Sequence, residues 1–565
     1  MSLFGGSLAR SAAPSVPVGA QVLWRRPSLW SDGAAVRSAN GAGGRRLAVF
    51  GPCAATDAEL TRLAHADDPQ ALDRAASAWA GAYTLVLDDG YGVFTVWADP
   101  AGACPVYTSL LVGAPVWASS SAALAGLLGA EPDTAWLAAH LAAPTRWVPG
   151  RSAWTGVEQI PPGHRWSASA TGAHSYTPYW QAPELSWEHA VRRLRADLAD
   201  GVLIRVSGRA ASCDLSGGLD SSTLAALAAQ CGPVTGLTYH PKGRDSGGDI
   251  DHARAVAKAF PAIRHRFMAL GPEHLPFADL GGLPPTDEPA PSAMVHAQLG
   301  SQLDLLRTEG VEVHLTGDGG DSLFMPPPVH MADLARSGRL VRLAGDAQAW
   351  ARLYRASPWT ALSAACNAPD KLGGTTASRP WLTRYACDLA DAVTTPYGDA
   401  IDLGHADRHL LEEARYVGRS AATENQLAAA HGIEMHNPFT DARIVETVLA
   451  VPAPERWSAR RYKPLLTDTV TRLLPPGVLQ RGAKGVFVAD HHHGLRANRA
   501  AVMDLTGGYL ADLGLIHPAA LRSLLGSAAL GVDIPWGLLE PVLGTELWLR
   551  SSESSGRTLR WEEAP

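Results

Sequence analysis

Residues 216–222 combine glycine, serine and aspartate in an order that suits the binding of a phosphate group. The segment reads Ser-Gly-Gly-Leu-Asp-Ser-Ser, follows a short apolar stretch and precedes an Ala/Leu-rich stretch that predicts a helix over 223–230. Glycines let a backbone approach a ligand closely, and N–H groups at a helix start bind anions. Asp220 would repel a bare anion, so its presence predicts a bound divalent cation such as Mg²⁺, which bridges carboxylate and phosphate oxygens.

A second acidic loop, residues 317–321, reads Gly-Asp-Gly-Gly-Asp and follows the apolar stretch 312–316. Short apolar strands alternate with predicted helices from about residue 186 onward, which indicates a parallel sheet with helices on both faces. Ligands of such sheets bind at the carboxyl ends of the strands. We therefore expect the two acidic loops to lie at one site.

The first loop resembles the pyrophosphate loop of the ATP-pyrophosphatase superfamily, in the form found in asparagine synthetase B-like enzymes. That branch also contains β-lactam synthetases and lasso peptide cyclases. Its members adenylylate a carboxylate, release pyrophosphate and let an amine attack. The resemblance implies ATP and Mg²⁺ as cofactors, with Asp220 and Asp321 on the metal. It implies nucleotide contacts for Ser216, Gly217, Gly218, Asp220, Ser221, Ser222 and Gly317.

Further segments continue the resemblance. Residues 432–441 match a family motif, with His436 where the family has arginine. Residues 462–466 and 479–485 match a later one, which implies that Lys484 contacts the phosphates and stabilises charge in the transition state. Asp318 stands where the family has a glutamate, and it could accept the proton of the attacking amine or orient that amine. Glu424 is a second candidate partner of the amine.

The N-terminal region predicts an α+β domain. Residues 83–87 and 91–97 alternate apolar with small or polar groups around Asp88-Asp89-Gly90, a hairpin signal. Helices are predicted over 57–66, 69–80, 121–128 and 134–142. The order of elements, the segment 98–102 and the Pro-Pro-Gly turn at 161–163 resemble the glutamine amidotransferase domain of asparagine synthetases.

This N-terminal domain departs from the family at the nucleophile. The family has a cysteine directly after the initiator methionine, whereas this chain has Ser2, and its nearest cysteine is Cys53. A serine hydroxyl without a neighbouring base is a poor nucleophile. We expect no glutaminase activity, so the amine comes from the substrate or from free ammonia.

The expected fold is an α+β Ntn-glutaminase-like domain followed by an α/β synthetase domain of the ATP-pyrophosphatase (adenine nucleotide alpha hydrolase-like) type with a parallel sheet. The expected boundaries are 1–182 for a degenerate glutamine amidotransferase-like domain and 186–565 for the ATP-dependent ligase domain. The net charge of −7 gives no electrostatic reason to expect nucleic acid. Six scattered cysteines, and no basic segment with an apolar core at the N-terminus, favour the cytoplasm, and the longest apolar runs are too short to span a bilayer.

The leading hypothesis is a lasso peptide cyclase, a macrolactam synthetase. The resemblance implies that it adenylylates an Asp or Glu side chain of a leaderless core peptide, whose own α-amine then attacks. The leader peptidase and leader-recognition proteins of the same pathway are the expected partners. A β-lactam-type synthetase, an ammonia-dependent asparagine synthetase and a catalytically dead scaffold are the alternatives. Residues 325–415 are expected to determine specificity for a large substrate, including a loop over 372–378.

Overall fold

The computed structural model describes residues 2–9, 15–66, 68–244, 246–327, 329–353, 357–366, 379–394, 403–458, 460–479, 488–554 and 559–563. Lys484 and the loop 372–378 lie outside the described residues.

In the described part of the N-terminal region there are thirteen strands and four α-helices. The strands are β1 (Leu3–Ser7), β2 (Ser15–Pro17), β3 (Gln21–Arg25), β4 (Ser28–Asp32), β5 (Val36–Asn40), β6 (Arg46–Phe50), β7 (Thr84–Asp88), β8 (Val93–Trp97), β9 (Tyr107–Leu111), β10 (Ala114–Ala118), β11 (Glu158–Gln159), β12 (His164–Ser169) and β13 (His174–Pro178). The helices are α1 (Asp57–Ala64), α2 (Pro69–Ala75), α3 (Ser121–Leu128) and α4 (Thr134–Ala142). The predicted hairpin between β7 and β8 is confirmed, and helices start after the side-chain caps Thr56, Ser120 and Asp133.

Two six-stranded antiparallel sheets pack face to face in this region, in the orders β11-β9-β10-β1-β4-β3 and β13-β12-β8-β7-β6-β5. The alternation along β6 shows how the layers form. Ala48 and Phe50 face the other sheet and join a core with Phe4 and Trp117, whereas Leu47 and Val49 face α1 and α2. Helices α3 and α4 pack beside the opposite sheet. The result is an α-β-β-α sandwich.

The second region contains a five-stranded parallel sheet, and the parallel sheet predicted from the sequence is confirmed. Its strands are β14 (Ala211–Asp214), β15 (Val234–Pro241), β16 (Ile263–Leu270), β17 (Val313–Leu315) and β18 (Glu434–His436), in the order β16-β15-β14-β17-β18. A last strand, β19 (Trp561–Glu563), returns to pair with β2.

Among the described residues, the first helices of this region pack against the sheet, whereas the helices from residue 488 onward share a core with α3 and α4. The helices of this region are α5 (Trp187–Val206), α6 (Leu219–Cys231), α7 (Asp249–Ala259), α8 (His296–Thr308), α9 (Gly320–Phe324), α10 (His330–Arg336), α11 (Leu340–Leu353), α12 (Pro358–Cys366), α13 (Arg384–Val393), α14 (His405–Ala430), α15 (Ala442–Leu449), α16 (Ala453–Arg456), α17 (Pro464–Val470), α18 (Pro476–Leu479), α19 (Val488–Ala497), α20 (Arg499–Asp504), α21 (Tyr509–Asp512), α22 (Pro518–Ala529) and α23 (Trp536–Ser554). Within the described part of the chain, no helix is both long and apolar enough to cross a membrane.

The long helix α14 joins the two regions. A Cβ on its Gly418 would lie 2.2 Å from the carbonyl oxygen of Ala101, so only glycine lets the helix approach this closely. The guanidinium of Arg415 donates to the carbonyl oxygens of Pro100 and Pro162. The core also continues between the regions, with the rings of Trp154 and Trp548 5.2 Å apart. The division at 182–186 stays a prediction.

Candidate active site

The first acidic loop, residues 216–222, lies at the carboxyl end of β14 and leads into α6. Gly217 has a φ of 68°, and a Cβ there would lie 2.4 Å from the Cβ of His252, so the tight turn requires glycine. The hydroxyls of Ser216 and Ser221 are 2.9 Å apart, which fixes both ends of the turn. Ser216, Gly218, Asp220 and Ser221 line a cavity of about 320 Å³. Ser222 is fully buried behind them.

The second acidic loop, residues 317–321, lies directly against the first because β14 and β17 are neighbouring parallel strands. A Cβ on Gly320 would lie 2.4 Å from Cγ of Asp220, and one on Gly317 would lie 3.0 Å from the backbone nitrogen of Ser221. Glycine at these two positions therefore lets the loops touch. Gly317, Asp318 and Asp321 line the same cavity as the first loop, as expected from the sequence.

Lys463 connects the two loops. Its ammonium lies 2.5 Å from Oδ2 of Asp220 and 2.6 Å from Oδ1 of Asp321, and its side chain is fully buried. Burial alone lowers the pKa of Lys463, but the charges of the two carboxylates outweigh that effect and raise it above its ordinary value. A cation is thus held between the two carboxylates for which the family resemblance implies a metal ion.

Lys463 is a site residue that the sequence analysis did not single out. It lies in the segment 462–466 quoted for the family resemblance, but the catalytic lysine was assigned to Lys484. The backbone of Lys463 has a φ of 40° and a ψ of 60°, just before Pro464 begins α17. A lysine in the left-handed conformation is uncommon, but a backbone angle cannot be predicted from the sequence. The family resemblance of the segment 462–466 was therefore the one signal that could have identified Lys463 as a site residue.

A second cavity, of about 520 Å³, adjoins the first and shares Asp214, Tyr239, Gln298, Asp318 and Gly319 with it. Glu424 of α14 lines its far side. The structure therefore brings both predicted amine partners, Asp318 and Glu424, to one cavity beside the acidic loops.

The carboxyl group of Glu424 accepts hydrogen bonds from the backbone N–H of Ser292, at 2.8 Å, and from the Ser292 hydroxyl. Removal from water raises the pKa of Glu424 to about 7; the hydrogen bonds from Ser292 oppose this rise, and the negative charge of Asp318 adds to it. A carboxyl group with this pKa can exchange a proton near neutral pH.

His436, which replaces the family arginine, has a protein partner. Its Nε2 lies 3.3 Å from Oε2 of Glu434, which also contacts the guanidinium of Arg209 at 2.8 Å. Burial lowers the pKa of His436, and this outweighs the opposing effect of the Glu434 hydrogen bond. Near neutral pH the ring is therefore uncharged, unlike the arginine that it replaces.

A third cavity, of about 490 Å³, lies between the two regions and is lined by Ser2, Gly51 and Pro52 on one side and by Arg209 and His436 on the other. Cys53, the nearest cysteine in sequence, is buried, and burial raises the pKa of its thiol to about 12. Its thiol is therefore protonated at neutral pH and is a poor nucleophile.

We predict that glutamine is not hydrolysed at this third cavity, since it offers the Ser2 hydroxyl and the thiol of Cys104, whose pKa burial raises to about 12, and neither is an activated nucleophile. Incubation with glutamine and ATP should release no glutamate above a protein-free control, and the Ser2→Ala variant should behave identically. Glutamate release that disappears in the Ser2→Ala variant would contradict the prediction.

The family model for asparagine synthase matches residues 193–550. This match covers more than half of the chain, and it spans both acidic loops, Lys463 and Glu424. The chain belongs to the asparagine synthase family. Its family chemistry is ATP-dependent amide-bond formation, which makes the chain an ATP-dependent ligase in general terms.

The other comparisons add little. No curated protein matches the chain. Among solved structures, the chain is similar to a glutamine phosphoribosylpyrophosphate amidotransferase from B. subtilis complexed with ADP and GMP, at 10% identity over 57% of this chain and 76% of that one, with a TM-score of 0.22. A structure of the allosteric regulatory enzyme of purine biosynthesis matches at 10% identity over 56% of this chain and 68% of that one, with a TM-score of 0.21. Scores this low carry no argument about the fold.

Proposed function

We propose that the protein is a macrolactam synthetase that closes a peptide on itself. It adenylylates the side-chain carboxylate of an Asp or Glu in a linear peptide, and the α-amine of the same peptide displaces AMP. The observation that carries the proposal is the pair of adjoining cavities, one lined by the two acidic loops and the other by Asp318 and Glu424.

The acidic loops fit ATP with Mg²⁺. A single cation already bridges Asp220 and Asp321 through Lys463, so both carboxylates can reach one metal ion. No cluster of three metal-ligating side chains occurs among the described residues. Two carboxylates suffice for Mg²⁺, because this ion usually takes its remaining ligands from phosphates and water. Bound there, Mg²⁺ would neutralise the triphosphate, while the backbone around Ser216 and Gly218 holds the pyrophosphate.

The second cavity fits a peptide α-amine. The α-amine of a free peptide in water has a pKa of about 7.7–8.0, so a carboxylate whose own pKa is about 7 can take its proton with little loss of free energy. A substrate lysine side chain, whose ordinary pKa is about 10.4, would give up its proton to this base much less readily. Asp318 lies between the two cavities, where it can hold the ammonium before the proton is transferred.

The available space favours a peptide over a single small amino acid. The second cavity adjoins the third, since Ala421, Met435, His436 and Asn437 line both. A peptide that holds its amine near Glu424 could use this third cavity for its further residues. Once such a peptide is bound in its folded form, proximity of amine and acyl group supplies much of the rate.

The proposal is tested with synthetic linear peptides that carry a free α-amine and one Asp or Glu at successive positions in their first half. Incubation with ATP and Mg²⁺ should release AMP and pyrophosphate, and the peptide should lose one water by intact-mass analysis. The matched N-acetylated peptide should support ATP–pyrophosphate exchange but not cyclisation. AMP release with single β-amino acids, or with aspartate and ammonium, and none with peptides would instead indicate a β-lactam-type or ammonia-dependent enzyme.

We predict that Glu424→Gln slows amide formation by about 10²–10⁴-fold while ATP–pyrophosphate exchange is retained, because the base acts only on the amine. In the unmodified protein the rate should rise with pH through about 7, where Glu424 loses its proton. The measurement is cyclised peptide formed per unit time between pH 5.5 and 8.5.

The control for this prediction is Ser292→Ala. It removes a hydrogen bond that lowers the pKa of Glu424, so the pH at which the cyclisation rate rises should be higher in this variant. Other titratable groups lining this cavity are Asp214, Tyr239, Asp318, Tyr416 and His436. If the cyclisation rate of Glu424→Gln still rises near pH 7, the titrating group is one of these residues and not Glu424.

A further inference from the structure

Asn437 carries a buried acceptor atom that has no donor. The residue follows β18 and precedes Pro438, it is 6% exposed, and no hydrogen bond reaches its Oδ1. Its side chain extends towards the second acidic loop, since Nδ2 lies 3.9 Å from the position that a Cβ on Gly319 would occupy. A buried carbonyl oxygen without a donor is unfavourable, and most such atoms in proteins have a partner.

The neighbouring polar groups are already paired. Oδ1 of Asn425 accepts the backbone N–H of Met435 at 2.8 Å, and the Thr440 hydroxyl donates to the backbone carbonyl of Asn437. His436 is held by Glu434. The amide oxygen of Asn437 is therefore an exception among these groups, and the residue itself lines two cavities.

The position of Asn437 indicates the chemistry of its missing partner. Asn437 lines the second cavity together with Asp318 and Glu424, and it also lines the third. The cavity is thus lined by two residues with a carboxylate and by one whose amide oxygen has no donor. A primary ammonium group supplies three donors and one positive charge, and it matches this set.

We propose that Oδ1 of Asn437 accepts a hydrogen bond from the substrate amine and so holds it for attack. This inference rests on the proposed amide-forming function and adds to it the residue that orients the nucleophile. The ammonium gives one proton to Glu424, and its freed lone pair attacks the activated carbonyl carbon. The new C–N bond forms as the C–O bond to AMP breaks, and AMP leaves with that electron pair. The second proton lost from nitrogen passes to solvent.

The test separates the two half-reactions. The probe is the linear peptide that the unmodified protein cyclises, together with its N-acetylated form. Asn437→Leu should leave ATP–pyrophosphate exchange with the N-acetylated peptide within about twofold and should slow cyclisation of the free peptide about 10- to 100-fold, the range of one hydrogen bond to a charged group. Asn437→Asp, which keeps an acceptor and removes the amide donor, should retain most of the cyclisation rate.

The matched control is Asn425→Leu. It removes a structural hydrogen bond from the same wall, so any loss should be shared by exchange and cyclisation. Equal losses of both reactions in Asn437→Leu, or full cyclisation by it, would overturn the assignment of Asn437 while leaving the proposed function intact. Absence of exchange with every peptide in the unmodified protein would overturn the proposed function, and the assignment of Asn437 with it.

Discussion

Replacing Asp321 by asparagine should reduce pyrophosphate release by at least about 10³-fold. The carboxylate of Asp321 faces that of Asp220 across one cation-sized gap, which Lys463 fills. An amide in its place lacks the charge that Mg²⁺ requires. The side chain of Asp321 is 64% exposed, so the substitution should change thermal stability only slightly. The measurements are pyrophosphate release at saturating ATP and a thermal unfolding curve.

The control variant for Asp321→Asn lies on the same loop. Asp318→Asn should retain ATP–pyrophosphate exchange and lose amide formation, because Asp318 also lines the second cavity. Asp220→Asn should remove exchange and also lower the melting temperature, since it leaves the fully buried Lys463 with one partner instead of two. Near-normal pyrophosphate release by Asp321→Asn at millimolar Mg²⁺ would contradict the proposal that Asp321 binds the metal ion.

The two acidic loops could be placed together from the sequence because both follow short apolar strands. Their direct contact could not, since it depends on β14 and β17 being neighbours in the sheet. The last strand of the sheet, β18, is only three residues long and lies far from β17 in the chain. Local patterns do not encode such long-range neighbours, and β16 and β18 were not predicted.

Some local predictions were also wrong, for physical reasons that the structure shows. The helix predicted over 69–80 ends at Ala75. The hydroxyl of Tyr83 donates to the carbonyl oxygen of Ala75 and accepts a hydrogen bond from the backbone N–H of Trp79. These two backbone groups therefore bond to a side chain and not to the backbone of a continuing helix. Strands β1 to β6 were not predicted either. All five residues of β1 are buried, so this strand lacks the alternation that marks a half-exposed one.

The segments that resemble the amidotransferase family have a structural role in this chain that could not be predicted from the sequence. Residues 98–102 and the turn at 161–163 both contact α14, through Arg415 and Gly418. The same helix carries Glu424 at the second cavity. The N-terminal region therefore supports the helix on which the proposed base stands, although it lacks the thiol nucleophile of the family.

The second large effect concerns Lys463, whose replacement by methionine should slow turnover by about 10²–10³-fold. Its ammonium is the only charge that the structure shows between Asp220 and Asp321 among the described residues, and it is fully buried. With a metal ion bound to the two carboxylates, the Lys463 ammonium would supply positive charge beside it, which would stabilise the charge that develops on the leaving pyrophosphate. Methionine keeps the length of the side chain and removes this charge.

Without nucleotide, the same Lys463→Met substitution should lower the melting temperature, because two carboxylates then face each other with no counterion. Mg²⁺ alone should restore much of that loss and should raise the melting temperature of the variant more than that of the unmodified protein, in which Lys463 competes for the position. The double variant Lys463→Met/Asp321→Asn should lose this response, since one of the two carboxylates is then neutral. An equal response to Mg²⁺ in all three proteins, together with normal turnover of Lys463→Met, would show that the ammonium and the metal do not share one position.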